Sequence, residues 1–362
     1  MLKFKAGALN PASLGACPKR IEAAKDLVRR TISRHGLSAK TNGSAAPLSD
    51  LMKGLNLAPA WQDMPGQSAQ PLGLPDGAVF RSETHSGRTG RRAYRHYVPS
   101  SAGEGLNGIV LMLHGCTQTP EDFAIGTGMN ALAEEHRLVV IYPQQARGAN
   151  AQTCWNWFSK GDQCRDRGEP EILAGITRTA MAEHAVSPDR VFVAGLSAGA
   201  AMAVILGETY PEIFAAVGAH SGLPFRAASD VPTAFAAMAG NRQGAAADAP
   251  TTGVPRTIVF HGAADRTVHP SNGVAIARRA GDDRSAAATR TTETGTHAGR
   301  SFRLIRTSDE AGNILSEHWV VDGLGHAWSG GNDAGSYADP AGPDASTEMV
   351  RFFLDRPAQG AR

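Results

Sequence analysis

Apolar positions along this chain gather into short continuous runs separated by longer stretches with helical spacing. Runs at 108–113, 138–142, 190–194, 214–218 and 256–262 are rich in Val, Ile, Leu, Phe and Ala and end at Gly, Pro or charged residues. Continuous rather than alternating runs predict strands that are covered on both faces. Between them, 121–136, 170–184 and 198–208 read as helices, and another begins near Ser271. Alternation of this kind predicts an α/β fold, a mostly parallel sheet flanked by helices, with the working loops at the carboxyl ends of the strands. Alternating segments at 78–82 and 91–99 predict an antiparallel pair leading into the sheet, and 289–294, 301–307 and 315–321 predict strands that extend its far side.

Upstream the pattern changes. Ile21, Ala24, Lys25, Leu27, Val28 and Ile32 follow a helix period within 18–35, and a Gly/Pro/Ser/Ala-rich linker runs from 36 to 77. The expected organisation is therefore an N-terminal helix and linker over 1–77 and one α/β domain over 78–362, with residues 221–250 as a lid or a plain surface insertion. A chain of 362 residues with 42% hydrophobic and 19% charged residues can bury one sizeable core. Its net charge of +2 and scattered basic residues give no nucleic-acid footprint. No apolar run approaches the roughly 18 residues of a membrane span. Residues 1–9 carry charges but no apolar core, so export by a signal peptide is not expected and the cytoplasm is the default location.

The chemistry concentrates where strands end. Gly195-Leu196-Ser197-Ala198-Gly199 lies between an apolar strand and an Ala-rich helix. A serine at the apex of such a turn is held where a base can reach it, and the flanking glycines let the turn close. An activated serine needs an imidazole, and the imidazole needs an acid to fix its tautomer. In α/β hydrolases these follow in the order Ser, Asp or Glu, His. Asp265, in the loop after the strand at 256–262, is the expected acid; capping the helix near Ser271 is its alternative use, and Asp322 is the rival acid. His326, after the Gly-rich turn that ends the strand at 315–321, is the expected base, and His318 inside that strand is read as a packing or surface residue. Two amides should receive the oxyanion, those of Ala198 and Cys116, with His114 supporting the second turn. No cofactor is required, and no cysteine pair has zinc-site spacing backed by histidine.

With these residues in hand, the chain resembles the poly-hydroxybutyrate depolymerase family of esterases in the α/β-hydrolase superfamily. The resemblance rests on His114-Gly115-Cys116-Thr117-Gln118, Gly126-Thr127-Gly128-Met129-Asn130, Tyr142-Pro143-Gln144-Gln145, Cys154-Trp155-Asn156-Trp157-Phe158, the serine turn and Gly325-His326-Ala327-Trp328-Ser329-Gly330-Gly331, in that order over roughly residues 78–355. It implies a triad of Ser197, Asp265 and His326 that cleaves aliphatic polyester or its oligomers, or, as in relatives, acetyl or feruloyl esters of polysaccharides. Secreted polymer-degrading members add a signal peptide, a linker and a polymer-binding domain, so the expected substrates here are soluble oligomers, amorphous polyester or other small esters. The family also leaves a periplasmic or extracellular location open.

Cys17, Cys116, Cys154 and Cys164 allow three complete pairings. A Cys116–Cys154 bridge would pin two walls of the site together; Cys154–Cys164 and reduced thiols are the alternatives. Trp155, Trp157 and Trp328 are candidates to bind an aliphatic acyl chain, with core packing as the competing use.

Overall fold

In the computed structural model, residues 73–241 and 253–355 are described, apart from 283 and 286. The chain divides into two units, Met1–Ser68 and Ala69–Arg362. The expected helix at 18–35 and nearly all of the linker lie outside the described residues, as does the distal part of the expected lid, 242–250.

The second unit is built on one ten-stranded sheet. Its strands are β1 (Val79–Gly87), β2 (Gly90–Val98), β3 (Gly108–Leu113), β4 (Leu138–Pro143), β5 (Val191–Leu196), β6 (Ala216–His220), β7 (Arg256–Gly262), β8 (Thr289–His297), β9 (Arg300–Ser308) and β10 (Ile314–Val321), with β11 (Trp328–Ser329) and β12 (Ala338–Asp339) forming a separate pair. The helices are α1 (Pro120–Thr127), α2 (Met129–His136), α3 (Gly168–His184), α4 (Ala198–Thr209), α5 (Val231–Met238), α6 (Ser271–Ala280) and α7 (Ala345–Leu354). The sheet order β1-β2-β4-β3-β5-β6-β7-β10-β9-β8 places the parallel strands in the middle and antiparallel pairs at both edges.

The continuous apolar runs have a direct physical outcome. Successive side chains of a strand point to opposite faces, so Ile109, Leu111 and Leu113 of β3 join the core packed on α3 and α4, while Val110 and Met112 join the core with α1, α2 and α7. Every residue of β3, β4, β5 and β6 is buried. At the far edge the Thr-rich β8 is almost wholly exposed.

Three boundaries differ from the sequence reading in instructive ways. The single helix expected over 121–136 is two helices, because Gly128 takes φ 62° and ends α1. The strand expected at 214–218 runs instead from Ala216 to His220, which carries a histidine to the carboxyl edge of the sheet opposite Leu196. The first part of the expected lid is built into the core, where Leu223, Phe225, Ala227 and Ala228 are buried. Beyond it α5 starts at a reciprocal cap in which the Asp230 carboxylate accepts from the Thr233 amide.

Three histidines are sealed into this core in the neutral form. Burial pushes the imidazoles of His220 and His318 down to about 3 and that of His114 down to about 4, from an ordinary value of 6.5. The unfolded chain therefore takes up protons on these rings as pH falls through 6.5, whereas the folded chain does not until about 3 or 4. Folding stability should fall as the solution is acidified below that point, by up to about 1.4 kcal/mol per pH unit for each ring. Urea midpoints measured stepwise from neutral to mildly acidic pH should decline throughout; a constant midpoint over that span would contradict the burial of neutral rings.

Candidate active site

Ser197 is the single residue between β5 and α4, and its backbone lies at φ 57° and ψ −117°. A serine with positive φ is strained and persists only where its surroundings enforce it. Here the enforcement is close backbone contact. A Cβ on Gly199 would fall 2.0 Å from the Leu113 carbonyl oxygen, and one on Gly195 would fall 2.5 Å from the Gly199 carbonyl carbon. With both positions lacking a side chain, α4 begins directly against the end of β3. The Ser197 N–H donates to the His220 carbonyl at 2.9 Å, and the Ser197 carbonyl accepts from Ala201 at 3.0 Å.

Asp265 and His326 come together from the ends of β7 and β10. His326 Nδ1 donates to Asp265 Oδ2 at 2.7 Å. The other carboxylate oxygen accepts the amides of Thr267 and Val268, each at 2.9 Å. Burial by itself would raise the Asp265 pKa; imidazole N–H groups of His261 and His326 and the Val268 amide outweigh it and hold the carboxyl well below the usual carboxylate range. His261 Nε2 donates to the Val268 carbonyl at 2.9 Å and lies 3.5 Å from Asp265 Oδ2. The aspartate is thus a fixed anion that leaves His326 Nε2 as the basic nitrogen. The rival acid, Asp322, sits in the preceding turn, where its amide donates to the Ser301 carbonyl.

The loop after β3 carries Cys116. His114 braces it: its Nδ1 donates to the Gly115 carbonyl at 2.7 Å and its Nε2 accepts the Gln145 amide at 3.1 Å. Gly115 N–H is taken by Gln118 Oε1 and Thr117 N–H by the Gln152 carbonyl. The Cys116 amide between them and the Ala198 amide at the first position of α4 are the expected pair of donors. A disulfide joins Cys116 to Cys154, and Cys164 is a free thiol. Cys17 lies outside the described residues.

The family model described as Esterase PHB depolymerase matches residues 92–294, more than half of the chain. This chain belongs to that family. A stretch of 174 residues is 36% identical to poly(3-hydroxyalkanoate) depolymerase C of Paucimonas lemoignei, covering 45% of this chain and 42% of that protein. Another of 192 residues is 29% identical to acetylxylan esterase A of Talaromyces purpureogenus, covering 49% of each. The chain thus spans about half or less of the length of these two curated relatives. Among solved structures, an acetyl xylan esterase from Aspergillus awamori superposes with a TM-score of 0.53 at 21% identity, over 68% of this chain and 94% of that one, a likeness of fold.

Within this member of the esterase PHB depolymerase family, the three tryptophans are buried. Trp155, Trp157 and Trp328 are 0%, 6% and 1% exposed. The Trp155 indole N–H donates to the His114 carbonyl at 3.0 Å, and Trp157 packs edge-on against Phe158. Trp328 donates to Ser346 Oγ at 3.0 Å. These contacts match the core-packing use that competes with a substrate role for these side chains. One group of possible metal ligands occurs among the described residues, His96, Glu183 and His184 on β2 and α3. There the Arg81 guanidinium already donates to Glu183 and lies 3.2 Å from His96 Nδ1.

His220 is the residue the sequence reading missed. Its carbonyl receives the Ser197 amide, and its ring Nε2 accepts the Ser329 amide at 3.0 Å, three residues past His326. The ring stacks between Phe260 and Trp328, with centroids 5.8 and 5.0 Å away. The serine turn and the histidine loop are therefore tied through one residue, the first to its backbone carbonyl and the second to its ring. The available signal was a histidine at a strand end before Ser221-Gly222, obscured by ending the strand at Gly218. Replacing His220 by Phe keeps the stacking but orphans the Ser329 amide, and kcat for ester hydrolysis should fall about 10- to 100-fold with KM nearly unchanged. His220→Gln, which can still offer an acceptor, should recover part of the loss. A His220→Phe protein that melts normally and retains its full kcat would show that the tie is not needed.

Proposed function

We propose that this chain is a serine carboxylic-ester hydrolase that acts on hydroxyalkanoate oligomers or amorphous aliphatic polyester. The observation that carries the reading is the 2.7 Å hydrogen bond between His326 Nδ1 and Asp265 Oδ2 at the carboxyl edge of the sheet, the same edge at which β5 ends in the strained Ser197. That bond fixes the tautomer a general base needs. His326 Nε2 takes the Ser197 hydroxyl proton as Oγ attacks the ester carbonyl. The oxyanion is received by the amides of Cys116 and Ala198, the latter at the positive end of α4. His326 returns the proton to the departing alcohol, and an acyl group remains on Ser197. Water, deprotonated by His326, then releases the acid.

Membership of the esterase PHB depolymerase family and the likeness to a poly(3-hydroxyalkanoate) depolymerase support the oligomer reading. Acetyl or feruloyl ester cleavage on polysaccharides is the second reading, favoured by the longer match to an acetylxylan esterase, 192 against 174 residues. Hydroxybutyrate trimer, a short-chain p-nitrophenyl ester and acetylated xylose should be assayed side by side. We expect turnover of the trimer and of the simple ester, lost about 10⁴-fold or more in Ser197→Ala and to a similar order in Asp265→Asn. Trimer left intact while acetylated xylose is cleaved would reverse the order of the two readings, and full activity in Ser197→Ala would end both.

A further inference from the structure

A polar cavity of about 250 Å³ opens beside the Cys116 loop. It lies at the carboxyl ends of β3 and β4, where Gln144 leaves the sheet with its amide donating to the Ala93 carbonyl at 2.9 Å. Ligands of open α/β sheets bind on this side. Thr117, adjacent to Cys116, forms part of its wall. The lining holds three guanidinium groups, those of Arg91, Arg92 and Arg147, and no carboxylate.

Among the described residues, two of the three cations have no anionic partner, and the third is paired without a hydrogen bond. Arg91 and Arg147 are exposed and form no ion pair among the described residues. Arg92 is 5% exposed and lies over the Trp155 ring at 5.7 Å. It forms a buried ion pair with Glu169 at 3.7 Å, longer than a hydrogen bond, and that carboxylate also accepts from the Gln145 side chain and from the backbone and side chain of Asn156. The buried Arg92 Nε has no hydrogen-bond partner. Around these charges are neutral donors: the side-chain amide of Gln144 and the hydroxyl of Thr153, which accepts from Thr117 N–H and keeps its own proton to give. A concave site with concentrated positive charge, hydrogen-bond donors and no acidic group is complementary to a planar anion, and guanidinium groups are the side chains best matched to a carboxylate. It offers little to a purely aliphatic chain.

We propose that this cavity is a substrate subsite for a carboxylate, so that the enzyme prefers esters carrying a free acid a few bonds from the scissile carbonyl. The proposal deepens the esterase reading and rests on it for the identity of the ligand. Two sources of the same chemistry are the free-acid end of a short hydroxyacid oligomer and the uronic acid of an acidic polysaccharide.

Binding to the Ser197→Ala protein separates this proposal from the catalytic one, because no turnover is required. Hydroxybutyrate trimer as the free acid should be titrated calorimetrically beside the trimer methyl ester, and acetylated glucuronic acid beside acetylated glucose. We expect the acid of at least one pair to bind about tenfold more tightly than its neutral partner in dilute buffer, with the difference shrinking in about 0.5 M NaCl. In the Arg91→Gln/Arg147→Gln double variant, where two exposed side chains change, the acid-to-neutral ratio should fall toward one. The pair that shows the preference names the source. Equal affinities within both pairs, or a preference untouched by the double variant, would overturn the subsite. With Ser197 intact, a protein that binds the acid selectively but hydrolyses none of these esters would leave the subsite standing and remove the esterase reading instead.

Discussion

The start of α4 against the end of β3 is the contact on which the site depends. The Leu113 carbonyl lies where a Cβ of residue 199 would be, so only glycine permits the helix to begin there. That approach forces Ser197 into its left-handed backbone and leaves it alone at the junction of strand and helix. It also brings the Cys116 loop, which leaves β3 three residues later, beside the first turn of α4. One missing side chain thereby sets both the pose of the hydroxyl and the neighbourhood of the amides that would face it.

The segment after His326 acts as a strap over this arrangement. Its Ser329 amide hydrogen-bonds the ring of His220, and its Ser336 carbonyl accepts from Gln118 in the Cys116 loop at 2.9 Å. The Ser336 amide donates to Asp122 on α1 at 2.8 Å. Gly335 meets Gly126 so closely that a Cβ would lie 2.4 Å from the Gly126 Cα. The same segment that carries His326 thus reaches the Ser197 turn on one side and the Cys116 loop on the other. Rigid mutual positioning of this kind is what a catalytic triad needs, since displacements of about 1 Å at the reacting atoms are costly in rate.

The family-level motifs and the strongly apolar strands were legible before any coordinates. The strands from β3 to β7 announce themselves by continuous burial on two faces, and Ser197, Asp265 and His326 stand out because each follows the end of a strand in the order expected of an α/β hydrolase. The 121–136 helix was read as one because its apolar spacing continues through Gly128; the break comes where Gly128 takes φ 62°, two residues after Gly126 packs its backbone against the strap, a contact more than two hundred residues away in sequence. The aromatic residues left two uses open for a related reason. A tryptophan beside a site motif reads the same whether its ring faces substrate or wedges two loops apart.

By itself, then, the sequence determined the order of elements, the two faces of the sheet and the identity of the three candidate residues, because these follow from local periodicity and from glycines that only tight turns require. Tertiary structure alone decided that Asp265 rather than Asp322 meets His326, that Cys116 pairs with Cys154, that His220 links the serine turn to the histidine loop, and that three arginines from two separate segments share one cavity. Each of these is a meeting of residues distant along the chain. Such meetings depend on strand order and on which backbones can approach closely, and neither is written in the pattern of any one segment.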